Sequence, residues 1–153
     1  MKLAVGADER MRIVDVTLDY LRERGFEYRY YGPEDEAQTF LWPEVAMRVA
    51  EDVAKDDVEE GILFCWTGTG VSIAANKISG IRAALCDDEQ TAEGAKLWNN
   101  ANVLCISMRR TSEVVVKEIL DSWFEHRYHP NPTDDKCLAL IDKLDTDRLS
   151  GGD

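Results

Sequence analysis

The stretch Cys65-Trp66-Thr67-Gly68-Thr69-Gly70-Val71-Ser72 holds the residue types best suited to chemistry in this chain. A thiol closes an apolar run, a glycine-rich turn follows, and a helical pattern starts. Backbone N–H groups at a helix start lack intrahelical partners, and the helix dipole adds partial positive charge there. Such a place takes an anion or a developing oxyanion. The same field favours the thiolate form of a neighbouring cysteine. A thiolate beside an oxyanion nest is a suitable base for taking a proton from a carbon next to a carbonyl. The pattern alone equally fits a buried structural cysteine ahead of an ordinary strand-to-helix turn.

The loop matches neither familiar nucleotide fingerprint. A P-loop places Lys directly after its second Gly, whereas Lys77 stands well past Gly70. The dinucleotide pattern G-x-G-x-x-G follows a first strand, and the first strand here leads into Asp8-Glu9-Arg10. No cofactor is therefore expected. The cysteines at 65, 86, 105 and 137 form no C-x-x-C pair, so neither a metal site nor a disulfide framework is expected.

The elements that must position this loop alternate strand and helix. Leu3–Ala7 reads as a short buried strand. Met11, Val14, Leu18 and Leu21 recur at helical spacing, and Gly25 stops that helix. Phe26–Tyr31 reads as a second strand closed by Gly32-Pro33. A polar loop, 34–38, precedes a helix that starts at Pro43 and runs through Val45, Val49 and Val53. Gly61–Cys65 is a continuous apolar run, as a strand covered on both faces should be. The helix after the glycine loop is expected over Val71–Lys77, a fourth strand over Arg82–Cys86 and a helix over Glu89–Leu97. A fifth strand follows over Asn102–Ile106, then a helix over Ser112–Phe124 capped by Ser112, then a last helix over Asp134–Leu144. The tail, residues 149–153, is expected to fray.

Five strands alternating with helices imply a parallel, doubly wound α/β sheet in one domain, 1–153. Ligands of such sheets bind at the carboxyl ends of the strands. That rule selects Asp8-Glu9, Cys65 to Gly70, Cys86-Asp87-Asp88 and Ser107 to Arg110.

The chain has 153 residues and 44% hydrophobic residues, enough to bury a core without staples. A net charge of −12 argues against nucleic acid and anionic membrane surfaces as partners. No signal peptide or bilayer-length apolar run is visible, and free thiols suit a reducing compartment, so a cytoplasmic location is expected.

Gly61 through Lys77, with Gly80-Ile81-Arg82-Ala83 after it, closely resembles the ribose-5-phosphate isomerase B and galactose-6-phosphate isomerase family. Asp8, Asn99-Asn100-Ala101-Asn102-Val103-Leu104 and Arg109 match that family in order and spacing, and the resemblance covers roughly residues 2–125. It implies a cofactor-free aldose–ketose isomerase of a small sugar or sugar phosphate. It also implies a Rossmann-like, flavodoxin-like fold with helices on both sheet faces, and a homodimer or tetramer with sites across the subunit interface. The last helix, 134–148, is expected at that interface.

The resemblance implies that Cys65 is the base of a cis-enediolate mechanism. Thr67 and the N–H groups from Gly68 through Thr69, Gly70, Val71 and Ser72 would hold the enediolate oxygens. Asp8 and Asn99 would bind substrate hydroxyls, with Asp8 also able to move hydroxyl protons. Four departures matter. Glu9 and Trp98 replace two family histidines linked with furanose opening and substrate positioning. Trp66 replaces a Gly and brings bulk to the substrate mouth, and Trp42 stands where a Tyr is usual. Thr133–Cys137 is acidic where phosphorylated-sugar enzymes carry an Arg/His cluster, which puts a phosphate on the substrate in question and leaves Arg109, Arg110, Arg10, Arg12 and Lys136 as candidate ligands, Arg109 favoured by family position.

Overall fold

The computed structural model describes residues 1–150, with side chains as far as Asp147. Its elements run β1 (Lys2–Ala7), α1 (Arg12–Glu23), β2 (Glu27–Tyr31), α2 (Trp42–Ala54), β3 (Glu60–Cys65) and α3 (Thr69–Ala75). They continue with β4 (Ala83–Leu85), α4 (Glu89–Leu97), β5 (Val103–Ser107), α5 (Glu113–Glu125) and α6 (Pro132–Ser150).

Strand alternation divides the apolar residues between two layers. Leu3, Val5, Ile62, Phe64, Leu104 and Ile106 point to one face and pack with Val14, Leu18 and Leu21 of α1 and Ile119, Leu120 and Trp123 of α5. Ala4, Leu63, Cys65, Val103 and Cys105 point to the other face, under Val45, Val49 and Val53 of α2 and Val71 and Ala75 of α3. Each large apolar side chain so buried contributes roughly 1.5–3 kcal/mol of transfer free energy. Both faces are covered, which explains why β1, β3 and β5 read as unbroken apolar runs.

All strand neighbours are parallel, in the order β2-β1-β3-β5-β4. The expected five-stranded parallel sheet between helix layers is present. Its order departs from the flavodoxin order 2-1-3-4-5 in the last two strands. β5 therefore lies beside β3, and β4 takes the edge with three residues instead of the five expected.

Boundaries differ where local chemistry outweighs periodicity. α3 starts at Thr69 rather than Val71, because Gly68 adopts φ +73° and turns the chain into the helix at once. Ser112 caps α5 as expected, its hydroxyl accepting from Val115 N–H at 3.2 Å. Asp88 caps α4 in the same way through Thr91 N–H, at 2.6 Å. α6 is longer than the expected 134–144 and stays helical to Ser150, past the start of the expected frayed tail. The remaining tail residues, 151–153, lie outside the described residues.

The amino end of the sheet is locked by a buried polar cluster. Lys96, 7% exposed, places Nζ 2.5 Å from Glu60 Oε1 and donates to Ala101 O at 3.1 Å. Trp123 Nε1 donates to Glu60 Oε2 at 2.5 Å. Nearby, Asn102 Oδ1 accepts from Arg82 N–H at 2.8 Å, and Arg82 Nε donates to Asn100 O at 2.7 Å. α6 stands apart: among the described residues neither apolar core includes it, and Leu140, Ile141 and Leu144 on it are exposed. No helix among the described residues is long and apolar enough to cross a membrane.

Candidate active site

Parallel register brings three chemistry-bearing residues side by side at the carboxyl end of the sheet. Ala7 pairs with Phe64, so the next step along each strand sets Asp8 beside Cys65. Cys65 in turn pairs with Ser107. Alternation aims all three toward the α2/α3 face, with neighbouring strands roughly 5 Å apart. Cys65 is only 5% exposed.

Asp8 is the least satisfied of them. Its Oδ1 is buried and has no hydrogen-bond partner among the described residues. Burial raises its pKa above the ordinary carboxyl value, and the neighbouring charge of Glu9 adds to the effect. A group in that state is suited to accept and return a proton.

The turn after Cys65 is held by its backbone. Met108 N–H donates to Cys65 O at 3.0 Å, and Arg109 N–H donates to Trp66 O at 2.9 Å. The Ser107 hydroxyl donates to the same Trp66 carbonyl at 3.0 Å. Gly68 then packs directly on β5: a Cβ there would sit 2.5 Å from Leu85 and 3.0 Å from the Ile106 carbonyl carbon. The first α-helical bond of α3 runs from Ser72 N–H to Gly68 O at 3.3 Å. The N–H groups of Thr69, Gly70 and Val71 precede it and form the nest of unpaired donors. Ser72, expected to extend the nest, spends its N–H within the helix. Thr67 and Thr69 share a hydroxyl–hydroxyl hydrogen bond of 2.7 Å on the exposed side of the loop.

The other buried thiols are poor candidates for a base. Burial pushes the Cys86 thiol up to about 12, and the fully enclosed Cys105 is raised further.

Around the mouth, Trp66 is half exposed and lines a cavity of about 410 Å³ with Glu9, Arg10, Arg12 and Glu36. Thr67 opens onto a smaller one of about 230 Å³ with Asp87, Ser107 and Arg110. The nearby arginines are engaged: Arg10 with Asp15, Arg12 with Glu113, and Arg110 with Asp87. Arg109 is exposed and forms no ion pair among the described residues. Both histidines of the chain, His126 and His129, follow α5 and lie away from this edge.

Trp98 and Asn99 are not part of this constellation. α4 carries the chain from the carboxyl end of β4 back to the amino end of β5, and both residues follow it. Strands of five or six residues span roughly 17–20 Å, which separates them from Cys65 within one chain. They line a different cavity, about 730 Å³, with Asn76, Arg82 and Leu85. Sequence spacing could not show this, because the return direction of a crossover appears only once the sheet is assembled.

The profile described as Ribose/Galactose Isomerase matches residues 3–140. The chain belongs to this family. It is an aldose–ketose isomerase. The isomerase is 38% identical over 128 residues to ribose-5-phosphate isomerase B of Escherichia coli, covering 83% of this chain and 85% of that one. It is 33% identical over 129 residues to the D-erythrulose-4-phosphate isomerase of Pectobacterium atrosepticum, covering 84% and 85%. Among solved structures, ribose-5-phosphate isomerase B of Clostridium thermocellum superposes with a TM-score of 0.92 at 29% identity, covering 97% and 99%.

Proposed function

We propose that this isomerase moves a proton between the first two carbons of a small sugar phosphate through a cis-enediolate. Cys65 takes the proton from the carbon beside the carbonyl and returns it to the former carbonyl carbon, so no external oxidant or reductant enters. Thr67 and the N–H groups of Thr69, Gly70 and Val71 hold the enediolate oxygens. Asp8 and Glu9 bind hydroxyls, and Asp8 relays their protons. Trp66 walls the mouth, and the unpaired Arg109 holds the phosphate. The reading is supported by one arrangement: Cys65 and Asp8 each stand one step beyond the paired Ala7 and Phe64, and the turn after Cys65 leads into N–H groups that make no hydrogen bond among the described residues.

The substrate reading turns on the ring. An open-chain four-carbon ketose phosphate has no furanose to open, so it needs no imidazole at positions 9 and 98. The similarity to a D-erythrulose-4-phosphate isomerase supports this reading. Ribose 5-phosphate is the second reading, favoured by Asp8, whose raised pKa suits it to ring opening. Measuring kcat/KM for erythrulose 4-phosphate, ribose 5-phosphate and their non-phosphorylated analogues separates the two. Turnover of ribose 5-phosphate at about 10⁴ M⁻¹s⁻¹ or more rejects the open-chain reading. Loss of that turnover in Glu9→Gln would give Glu9 the ring-opening role.

The working unit is a homodimer or a tetramer. Trp98 and Asn99 reach a substrate only in a second copy, because their own Cys65 is at the opposite end of the sheet. The exposed apolar residues of α6 support burial against another subunit. Sedimentation that finds an active monomer would remove this assignment.

A further inference from the structure

Trp42 opens α2 and is 41% exposed, an unusual setting for so large an apolar side chain. Its indole lies across Gly70 in the middle of the N–H nest. A methyl group at Gly70 would sit 3.1 Å from Trp42 Cδ2 and Cε3 and 3.4 Å from Cε2. Near-equal distances to adjacent atoms of the fused ring mean that the ring face, not its edge, covers the glycine. The residues just before Trp42 are tied to the other half of the site. Phe40 N–H donates to Asp8 O at 2.8 Å, and Thr39 forms an antiparallel bridge with Glu9. Thr39 to Trp42 is thus one short strap, fastened to Asp8-Glu9 at one end and resting on Gly70 at the other.

We infer that Trp42 is a positioning residue: its ring face holds Gly70 so that the N–H donors of the loop stay aimed at the oxyanion, in fixed relation to Asp8. The inference rests on the proton-transfer reading above. A methyl group at Gly70 would crowd the indole, which would have to give by a few tenths of an ångström. Removing the ring frees the loop by a fraction of an ångström without touching Cys65 or Asp8. Oxyanion donors act only when aimed before the charge develops.

Amide hydrogen exchange and kinetics test this together on the full chain. In Trp42→Ala, the hydrogen-bonded amides of residues 72–76 should exchange faster while those of β1 and β3 keep their protection. On the better of the two substrates above, kcat should fall by about 10²-fold, as misplacement by an ångström can cost. KM should stay within about threefold, since the donors act chiefly on the transition state. Trp42→Phe, which keeps a flat face, should restore most of kcat. Trp42→Leu keeps bulk without the face and carries the test if the alanine variant unfolds. Gly70→Ala should cost much less in the Trp42→Ala background than alone, because the collision is then gone. Unchanged exchange at 72–76, strictly additive losses in that cycle, or a defect confined to KM would each overturn the inference. A wild-type protein inactive on both substrates, with faster exchange in Trp42→Ala, would reject the proton-transfer reading and leave the strap standing.

Discussion

At the amino end of the sheet, Glu60 accepts from both Lys96 and Trp123, Lys96 also reaches Ala101 O, and Asn102 and Arg82 satisfy each other's backbone. At the carboxyl end, among the described residues, Asp8 keeps a buried oxygen without a partner and the N–H groups of Thr69, Gly70 and Val71 make no hydrogen bond, while Trp42 and Trp66 are exposed. The same strands run through both ends, so the difference is one of purpose. The satisfied end holds the fold, and the unsatisfied end is the one proposed above to take a ligand.

The sharpest way to break this contrast is at Cys65. Cys65→Ala is expected to lower kcat/KM by about 10²- to 10⁴-fold, the usual weight of a general base. Its melting temperature should move little, because deleting one sulfur leaves only a small cavity. Cys86→Ala and Cys137→Ala should keep most activity and serve as controls. A fully active Cys65→Ala would end the base assignment.

The opposite end should answer in the opposite currency. Lys96→Ala leaves the partly buried Glu60 carboxylate with only the Trp123 N–H and is expected to cost about 3 kcal/mol in urea unfolding, the lower end for a broken buried pair. The folded fraction should turn over substrate nearly as the wild type does. A loss below about 1 kcal/mol, the range of exposed pairs, would mean that the cluster is not a lock.

Asp8 gives the smallest effect and the most specific one. Its pKa is raised in the fold above the ordinary 3.8. Keeping it ionised therefore costs stability at neutral pH. That cost shrinks as pH falls through the folded value and is gone below the unfolded one. Asp8→Asn should thus raise the melting temperature by about 2 °C near pH 7. The gain should vanish near pH 3, even as activity drops. A gain that persists at pH 3 would point to packing rather than ionisation.

Much of the architecture was legible because each buried strand is a pure apolar run and each helix keeps its period. Cys65 and the glycine loop stood out for the same reason: a thiol and two glycines are odd company at the end of such a run. Lateral order was not legible. No residue pattern says that β5 slides between β3 and β4, and that placement is what sets Ser107 beside Cys65 and packs β5 under Gly68. The strap from Thr39 to Trp42 was also hidden, since residues 34–41 carry no period and their ties to Asp8 and Glu9 are made by backbone. Asn99 was grouped with Cys65 by family position, yet α4 carries it to the amino end of the sheet, a direction that position along a chain does not reveal.

Trp66 contributes to the site mainly through its carbonyl oxygen, which Ser107 and Arg109 both hold, while its indole hangs into solvent. Any amino acid supplies that carbonyl. The side chain at position 66 is therefore a free variable: in the proposed site it would widen, narrow or recolour the entrance while the turn after Cys65 stays put. Gly68, pinned at φ +73° against Leu85 and β5, has no such freedom. A lineage of such enzymes can change diet one residue away from a position that tolerates no change, and a saturation library at 66 is the natural place to look for new substrates.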